Sequence, residues 1–493
     1  MSSRPRPRQS PLAHCGIAAA TVAVMLANAC ASSPTPAPMD LTAPPVLAPP
    51  PSVKLPPVVT RELDNGLTLM IVEQHELPVV DYVLLIHTGG EADPAGRGGL
   101  AALTADMLDE GTTTRSALEI ADQTAYLGVG LGTRSGWDAS TVTLHTTTAQ
   151  MDSALALFGD LVLHPAFPDA DMERVRRDRL TALLQLEDRG PAIADRAFAS
   201  IVYGTGHPYG HPLTGTERSV GALSRSDVQH FYETYYRPNN ATLIVVGDVK
   251  PEDVERRAQR LLGAWERQAV PTITYGAAPA AMARTIYLID KPGAAQSSFR
   301  IGGVGVPRST EDYFAIEVMN TILGGSFSSR LNQNLRETHG YTYGARSGFS
   351  MRHEAGPFTA SAEVVAAKTD SALLEFLNEL HAIRDTVPAT ELSRAKQLLQ
   401  LQLPGDFETT GQIARQLVPI VLYDLPVNFY DGYVRQVDGV SQAAVQRAAR
   451  QHVNPDSIAV VIVGDRKTVE SGLKALDVAP LELRATDGGK VHP

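Results

Sequence analysis

Apolar residues recur along most of this chain with the spacings of regular secondary structure, every second position in some segments and every third or fourth in others. Residues 60–72 predict a β-hairpin, because Asn65-Gly66 can form its turn and β-branched and apolar residues follow. Residues 81–87 predict a further strand, and residues 99–108 predict a helix. Strands followed by helices are typical of an α+β domain.

The pattern continues through the first half of the chain. Ser116 and Glu119 form a capping box, which predicts the start of another helix. Residues 128–147 alternate and predict paired strands, and Pro251 suits the first turn of a helix. Further helical or strand periodicity lies at residues 149–163, 169–186, 191–202, 226–236, 241–246 and 254–265.

The second half of the chain repeats this order at a nearly constant offset. The anchors of the match are Asp152–Phe158 with Asp370–Phe376, Pro168 with Pro388, Gly247-Asp248 with Gly464-Asp465, and Pro78 with Pro292. We therefore predict an α+β fold of two tandem homologous domains, residues 58–266 and 283–478. Residues 267–282 would be an Ala/Pro-rich linker, and residues 479–493 a tail. Each domain should be a mainly antiparallel sheet with helices on one face, and together they should form a clam-like cleft.

The N-terminus predicts export. Basic residues precede an apolar run that is too short to span a bilayer, and Ala27-Asn28-Ala29 offers a cleavage site, so residues 1–29 are predicted to be a signal peptide. The same residues precede Cys30 as in a lipoprotein, although Leu26 lies one place too early for that pattern. The sequence leaves open whether Cys30 is lipidated. The expected location is the periplasm or the outer membrane.

The composition indicates a Pro-rich tether after the signal and an acidic globular part. Residues 30–57 are rich in proline, which favours extended polyproline conformations over a packed core. Cys15 lies inside the predicted signal, so Cys30 would be the only cysteine after cleavage, and no intrachain disulfide is expected. The net charge of −11 argues against nucleic acid as the main partner.

Both repeats resemble the pitrilysin/insulinase family of zinc metallopeptidases, in particular bacterial members similar to mitochondrial processing peptidase. The resemblance covers nearly all of residues 58–475. It rests on LDNGL from Leu63, on HPYGHPLTGTE from His207, on YRPNNATLIVVGD from Tyr236, and on the block at residues 324–344. Each motif alone is weak, but together they are specific.

Active members of that family carry H-x-x-E-H on a helix of the first domain. Its two histidines and a later glutamate bind zinc, and the central glutamate activates water. The matching positions here hold Ala102, Ala105, Asp106 and Ala182, which cannot form a tetrahedral zinc site. The resemblance therefore implies that this chain holds no zinc and no catalytic residue of its own.

A metal site elsewhere finds little support in the sequence. His207 and His211 have i, i+4 spacing, but Pro208 and Gly210 lie between them and disfavour a regular helix. The family pattern implies a loop there.

The second domain keeps the family's other functional pair. The resemblance implies that an Arg and a Tyr reach across the cleft to the substrate backbone, and they map to Arg336 and Tyr343. A guanidinium and a phenol are strong donors to a carbonyl that gains negative charge. Gly324, Gly325 and Ser326 open the same block and are assigned to the same substrate-binding element. The alternatives are a solvated helix residue for Arg336 and a core aromatic for Tyr343.

The local pattern of that block predicts a helix, a C-cap at Gly340 and a strand after it.

We therefore expect an exported, non-catalytic subunit of a heteromeric zinc metalloendopeptidase, whose homologous partner chain carries H-x-x-E-H and the zinc. Its substrate would be a peptide or an unfolded protein that adds as a strand to a sheet edge. The alternative is a structural or peptide-binding protein of the same fold with no role in hydrolysis. A peptidase that is active as a single chain would need a metal site that the sequence does not offer.

Overall fold

A computed structural model of the chain describes residues 56–276 and 282–491. The predicted signal peptide, Cys30 and most of the Pro-rich segment lie outside the described residues. Within the described residues, no helix is both long enough and apolar enough to cross a membrane.

The first half of the chain forms a six-stranded sheet with helices. Its strands are β1 (Val58–Glu62), β2 (Thr68–Glu73), β3 (Val79–Ile86), β4 (Gly130–Ser135), β5 (Ser140–Thr147) and β6 (Ala241–Gly247). Its helices are α1 (Leu100–Asp106), α2 (Ala117–Leu127), α3 (Met151–Leu163), α4 (Asp169–Leu186), α5 (Gly190–Tyr203), α6 (Glu217–Ala222), α7 (Arg225–Tyr235) and α8 (Pro251–Leu262). The strand order is β1-β2-β6-β3-β5-β4.

The second half forms another six-stranded sheet. Its strands are β7 (Thr285–Asp290), β8 (Gln296–Val304), β9 (Thr342–Phe349), β10 (Pro357–Val365), β11 (Ala459–Gly464) and β12 (Leu481–Arg484). Its helices are α9 (Tyr313–Leu323), α10 (Arg330–Asn332), α11 (Thr369–Asp385), α12 (Ala389–Gln402), α13 (Thr410–Leu422), α14 (Tyr433–Gly439), α15 (Gln442–His452) and α16 (Arg466–Ala475). The strand order is β12-β7-β11-β8-β10-β9.

The two sheets share one topology, as the internal repeat predicts. In each sheet the first long strand pairs in parallel with the strand that ends in Gly-Asp, and the other inner pairs are antiparallel. Pro168 and Pro388 stand at equivalent places, directly before α4 and α12. The outermost strand differs, since β1 is antiparallel to β2 whereas β12, from the predicted tail, is parallel to β7.

One helix from each half packs against the sheet of the other half. Apart from α5 and α13, the helices that contact a sheet pack on one face of the sheet of their own half, as predicted. The opposite face of the first sheet is covered by α13 of the second half, and that of the second sheet by α5 of the first half. Because β6 and β11 are covered on both faces, every residue in them is buried, which explains why they are continuously apolar.

The helix predicted before Gly340 is present, but it begins only at Arg330 and most of it is not an α-helix. After the short α10, the chain continues as a π-helix, Gln333–Thr338. The amide of His339 donates to the Asn334 carbonyl and that of Tyr341 to the Leu335 carbonyl, so the turns are wider than those of an α-helix. The predicted cap is confirmed, because Gly340 has φ +65° and β9 follows.

Candidate functional site

Helix α1 carries two of the three positions at which the resemblance implies metal ligands, 102 and 106, and the position of the water-activating glutamate, 105. Its N-terminus is held by Asp93, whose carboxylate accepts hydrogen bonds from the amides of Gly99 (2.6 Å) and Ala101 (2.8 Å). Burial raises the pKa of Asp93 to about 7. Ala102 and Ala105 are buried and offer no donor atom for a metal. The helix therefore serves the packing of the first half.

The remaining positions hold an ion pair instead of a ligand set. Asp106 pairs with Arg179 of α4, whose side chain is 10% exposed. Arg179 also donates to the carbonyl of Gly99 at 3.4 Å. Ala182 lies about one turn further along α4 and is exposed. These positions supply one carboxylate, already neutralised by a guanidinium, so they do not fit a zinc ion.

An open cleft lies along strand β4. Strand β4 forms one edge of the first sheet and packs against α1. The cleft measures about 880 Å³, with Leu131 and Arg134 of β4 on one side and Arg415 and Tyr423 of the second half on the other. Within the described residues β4 pairs with β5 alone, so its outer edge presents free backbone donors and acceptors.

Tyr343 and Arg336 lie on consecutive elements of the second half. Tyr343 is the second residue of the edge strand β9 and is 88% exposed, so it is not a core aromatic. Arg336 lies on the π-helix, where its guanidinium stands 4.7 Å from the ring centroid of Phe327 and its Nε is 3.3 Å from Glu337. Both side chains have polar atoms that face solvent.

The structure does not bring this pair into one pocket. Tyr343 lines a hollow of about 450 Å³ together with Arg300, Arg346 and Glu363, and Arg336 is not part of its lining. Arg300 pairs there with Glu363 and with Asp195 of α5, so the hollow lies beside the helix lent by the first half.

Gly324, Gly325 and Ser326 have clear local roles. A Cβ at Gly324 would clash with the amide nitrogen of Ser347 on β9, and one at Gly325 would lie 3.0 Å from the carbonyl oxygen of Asn320. The hydroxyl of Ser326 donates to the carbonyl of Thr321 at 3.0 Å. These contacts hold α9 against β9. A contribution of the three residues to substrate binding stays a prediction.

His207 and His211 flank a single 3-10 turn, Pro208–Gly210, and are not on an α-helix. The Nδ1 of His207 accepts from the amide of Tyr209 at 3.0 Å, and the Nδ1 of His211 lies 3.1 Å from the carbonyl of Pro212. Burial lowers the pKa of both rings. They stabilise the loop.

Within residues 56–276 and 282–491, one group of acidic and imidazole side chains has its donor atoms close enough together to hold a metal ion: Glu91, Asp138 and His353. The ring of His353 donates from Nε2 to the carbonyl of Leu422 at 2.8 Å, and its Nδ1 is 3.5 Å from Glu91. Tyr275 donates to Glu91. This group, which we call the clasp, joins residues of both halves.

Hydrogen bonds satisfy the second carboxylate of the clasp without a metal. Asp138 accepts from the hydroxyls of Tyr209 (3.2 Å) and Tyr423 (3.0 Å) and from the amide of His353 (2.9 Å). The Glu91 carboxylate, 3.5 Å from Nδ1, raises the pKa of His353 to about 9, so the ring is protonated at neutral pH. Sequence reasoning missed the clasp, because its members come from distant segments without a common spacing.

Comparisons with known proteins decide the family. A model described as insulinase (peptidase family M16) matches residues 69–217, and one described as peptidase M16 inactive domain matches residues 222–399. The chain belongs to the peptidase M16 family. Within it the chain is of the inactive type, given Ala102, Ala105 and Asp106.

Relatives and solved structures of M16 proteins agree with this assignment. A protein named an uncharacterized zinc protease from Rickettsia bellii is 25% identical, over 69% of this chain and 82% of its own length. A non-peptidase homologue from Helicobacter pylori is 23% identical, over 83% and 94%. The crystal structure of a peptidase M16 inactive domain from Pseudomonas fluorescens is 27% identical, with a TM-score of 0.77 over 83% of this chain and 98% of that one.

Proposed function

We propose that this M16 chain is the non-catalytic, peptide-binding subunit of a heteromeric zinc metalloendopeptidase. A homologous partner chain would supply H-x-x-E-H and the zinc. The observation that carries the proposal is the open edge of β4 along a cleft of about 880 Å³. An extended peptide or unfolded protein would add to β4 as a further strand, bound mainly through its backbone.

The exposed pair of the second half supports this role. An 88% exposed tyrosine contributes little to the core, so packing does not explain Tyr343. Arg336 and Tyr343 both offer donors to a carbonyl oxygen. In a heteromer they would stabilise the charge that develops during attack by the partner's metal-bound water.

The test is reconstitution with the homologous H-x-x-E-H chain from the same genome. Peptide cleavage should require both chains, and Arg336→Ala or Tyr343→Phe should lower kcat/KM by about tenfold or more without dissociating them. Matched controls are Arg177→Ala and Tyr126→Phe, since Arg177 is exposed on α4 and Tyr126 is 89% exposed on α2. Stoichiometric zinc and cleavage by the single chain would contradict the proposal.

The alternative is a structural or peptide-binding protein without a role in hydrolysis. The Helicobacter pylori relative named as a non-peptidase homologue favours it. This alternative predicts that the chain binds peptide along β4, so that substitutions in β4 abolish binding. It also predicts that no peptide is cleaved, even when an H-x-x-E-H chain is added. Under this alternative, Arg336→Ala and Tyr343→Phe should bind peptide as well as the controls Arg177→Ala and Tyr126→Phe do.

We further propose export, with lipidation at Cys30 as the means of anchoring to a membrane. The basic, apolar N-terminus and the small residues before Cys30 support this. Mass spectrometry of the mature N-terminus in cells distinguishes the outcomes. A diacylglyceryl-modified Cys30 that disappears in Cys30→Ser supports the anchor, and an unmodified N-terminus at Cys30 supports ordinary cleavage.

A further inference from the structure

A second cavity lies behind one wall of the cleft and shares two residues with it. It measures about 370 Å³, and Trp137 and Arg352 line both spaces. Leu183, Phe198 and Tyr203 contribute to an otherwise largely apolar lining. Cavities of this size with a few placed polar groups are typical of small-molecule sites.

Arg352 is the unusual feature of this cavity. Its guanidinium carbon lies 4.5 Å from the ring centroid of Trp137 and 4.3 Å from that of Tyr209. Its Nε and Nη1 are buried and donate to no described residue. The adjacent carboxylate of Asp138 accepts from Tyr209 and from other donors of the clasp, not from Arg352.

A buried guanidinium without an anionic acceptor is unfavourable. The aromatic rings stabilise its charge but leave its N–H donors unused. Burial accordingly lowers the pKa of Arg352. The other charged residues of the lining already have partners, because Asp195 pairs with Arg300 and Arg196 pairs with Glu187. Arg352 is therefore the lining cation whose donors suit an incoming anion.

We propose that this cavity binds a small carboxylate with an apolar body. The carboxylate would pair with the guanidinium of Arg352 through Nη2, since Nε and Nη1 have almost no accessible surface. The apolar part would lie against Leu183, Phe198 and Tyr203. Two sources share this chemistry, a medium-chain fatty acid and the free C-terminus of a short apolar peptide. The proposal does not depend on the proteolytic role.

Trp137 provides a direct reporter of binding. The chain has 2 tryptophans, so Trp265→Phe leaves Trp137 as the only one. In this background the purified chain is titrated with octanoate, octanol, acetyl-Ala-Leu and its C-terminal amide. We expect a saturable change in fluorescence with at least one acid, and at least about tenfold weaker binding of its neutral analogue. Saturation by octanoate would indicate a fatty acid as the ligand, and saturation by acetyl-Ala-Leu would indicate a peptide C-terminus.

Variants assign the effect to Arg352. Arg352→Gln should weaken acid binding by about tenfold or more. Arg308→Gln is the matched control, because Arg308 also lies on aromatic rings, 3.7 Å from the centroid of Tyr313, but does not line the cavity. If Arg352→Gln does not fold by circular dichroism, Ala199→Phe decides instead, since Ala199 lines the cavity and a phenyl ring would fill it.

Three results would overturn the proposal. One is equal binding of acid and neutral analogue, another is unchanged binding in Arg352→Gln or in Ala199→Phe, and the third is no saturation by either acid at millimolar concentration.

Discussion

At the residue scale, Gly324 shows how tightly the start of the substrate-binding block is packed. A Cβ there would clash with the Ser347 amide and lie 2.8 Å from the carbonyl carbon of Arg346, and both belong to backbone that cannot move aside cheaply. We expect Gly324→Ala to lower the free energy of unfolding by about 2–3 kcal/mol. Urea denaturation measures the loss. Gly348→Ala, with open space around it, is the control and should be nearly neutral.

The ion pair that replaces the metal ligands can be measured by a double-mutant cycle. Arg179 is largely buried, so Asp106→Ala leaves a guanidinium without its partner. We expect a coupling energy of about 1–2 kcal/mol between Asp106→Ala and Arg179→Met. The exposed pair Arg256–Asp253 on α8 is the reference and should give about 0.5 kcal/mol or less. Equal coupling in the two cycles would mean that the pair at α1 is only a surface contact.

At the element scale, the exchange of α5 and α13 makes the two halves interdependent. Leu417 of α13 is fully buried among side chains of the first sheet and of its own half. Leu417→Ala should cost about 2–4 kcal/mol. Because the helix bridges both halves, hydrogen exchange should show β2 and β11 losing protection together. The control is Leu374→Ala on α11, where Leu374 is 40% exposed. Separate loss of protection in the two sheets would contradict this interdependence.

Local signals made many elements of this fold predictable. The Asn65-Gly66 turn and the Ser116–Glu119 capping box both work through neighbouring residues, and both are present in the structure. The repeat also predicted two similar sheets, since matching sequences fold alike. The exchanged helices could not be predicted in this way. An apolar face on α13 is the same whichever sheet it covers, so periodicity does not identify its partner.

Some features of the candidate site could likewise be predicted from the sequence, and others could not. The loss of a metal ligand at Ala102 and of the water-activating glutamate at Ala105 can be predicted from the sequence, because a methyl group can neither bind a metal nor accept a proton in any fold. The ion pair of Asp106 with Arg179, the π-helix under Arg336 and the clasp depend on contacts between distant segments, and no spacing reports them. Tyr343 was identified by resemblance alone, and the structure adds its exposure at a sheet edge.

At the scale of the whole molecule, the clasp should make the junction between the halves sensitive to pH. The pKa of His353 is about 9 in the folded chain, above the ordinary value of 6.5, because its ring lies 3.5 Å from the Glu91 carboxylate and close to Asp138. A raised pKa of a base stabilises the folded state fully below about pH 6.5, and that stabilisation is lost as the pH rises through 9. The ring is 34% exposed, so we expect a loss of about 2 kcal/mol.

Urea denaturation of the wild-type chain at pH 6.0, 7.5 and 9.5 tests this expectation. The free energy of unfolding should fall over this range, whereas His353→Gln should show a flatter profile and lie closest to the wild type at pH 9.5. His381→Gln, which removes an exposed histidine of α11, should keep the wild-type slope. A slope that survives in His353→Gln would show that another group controls the response. Loss of the slope in that variant alone would identify the protonated ring of His353 as a contact that holds the two halves together.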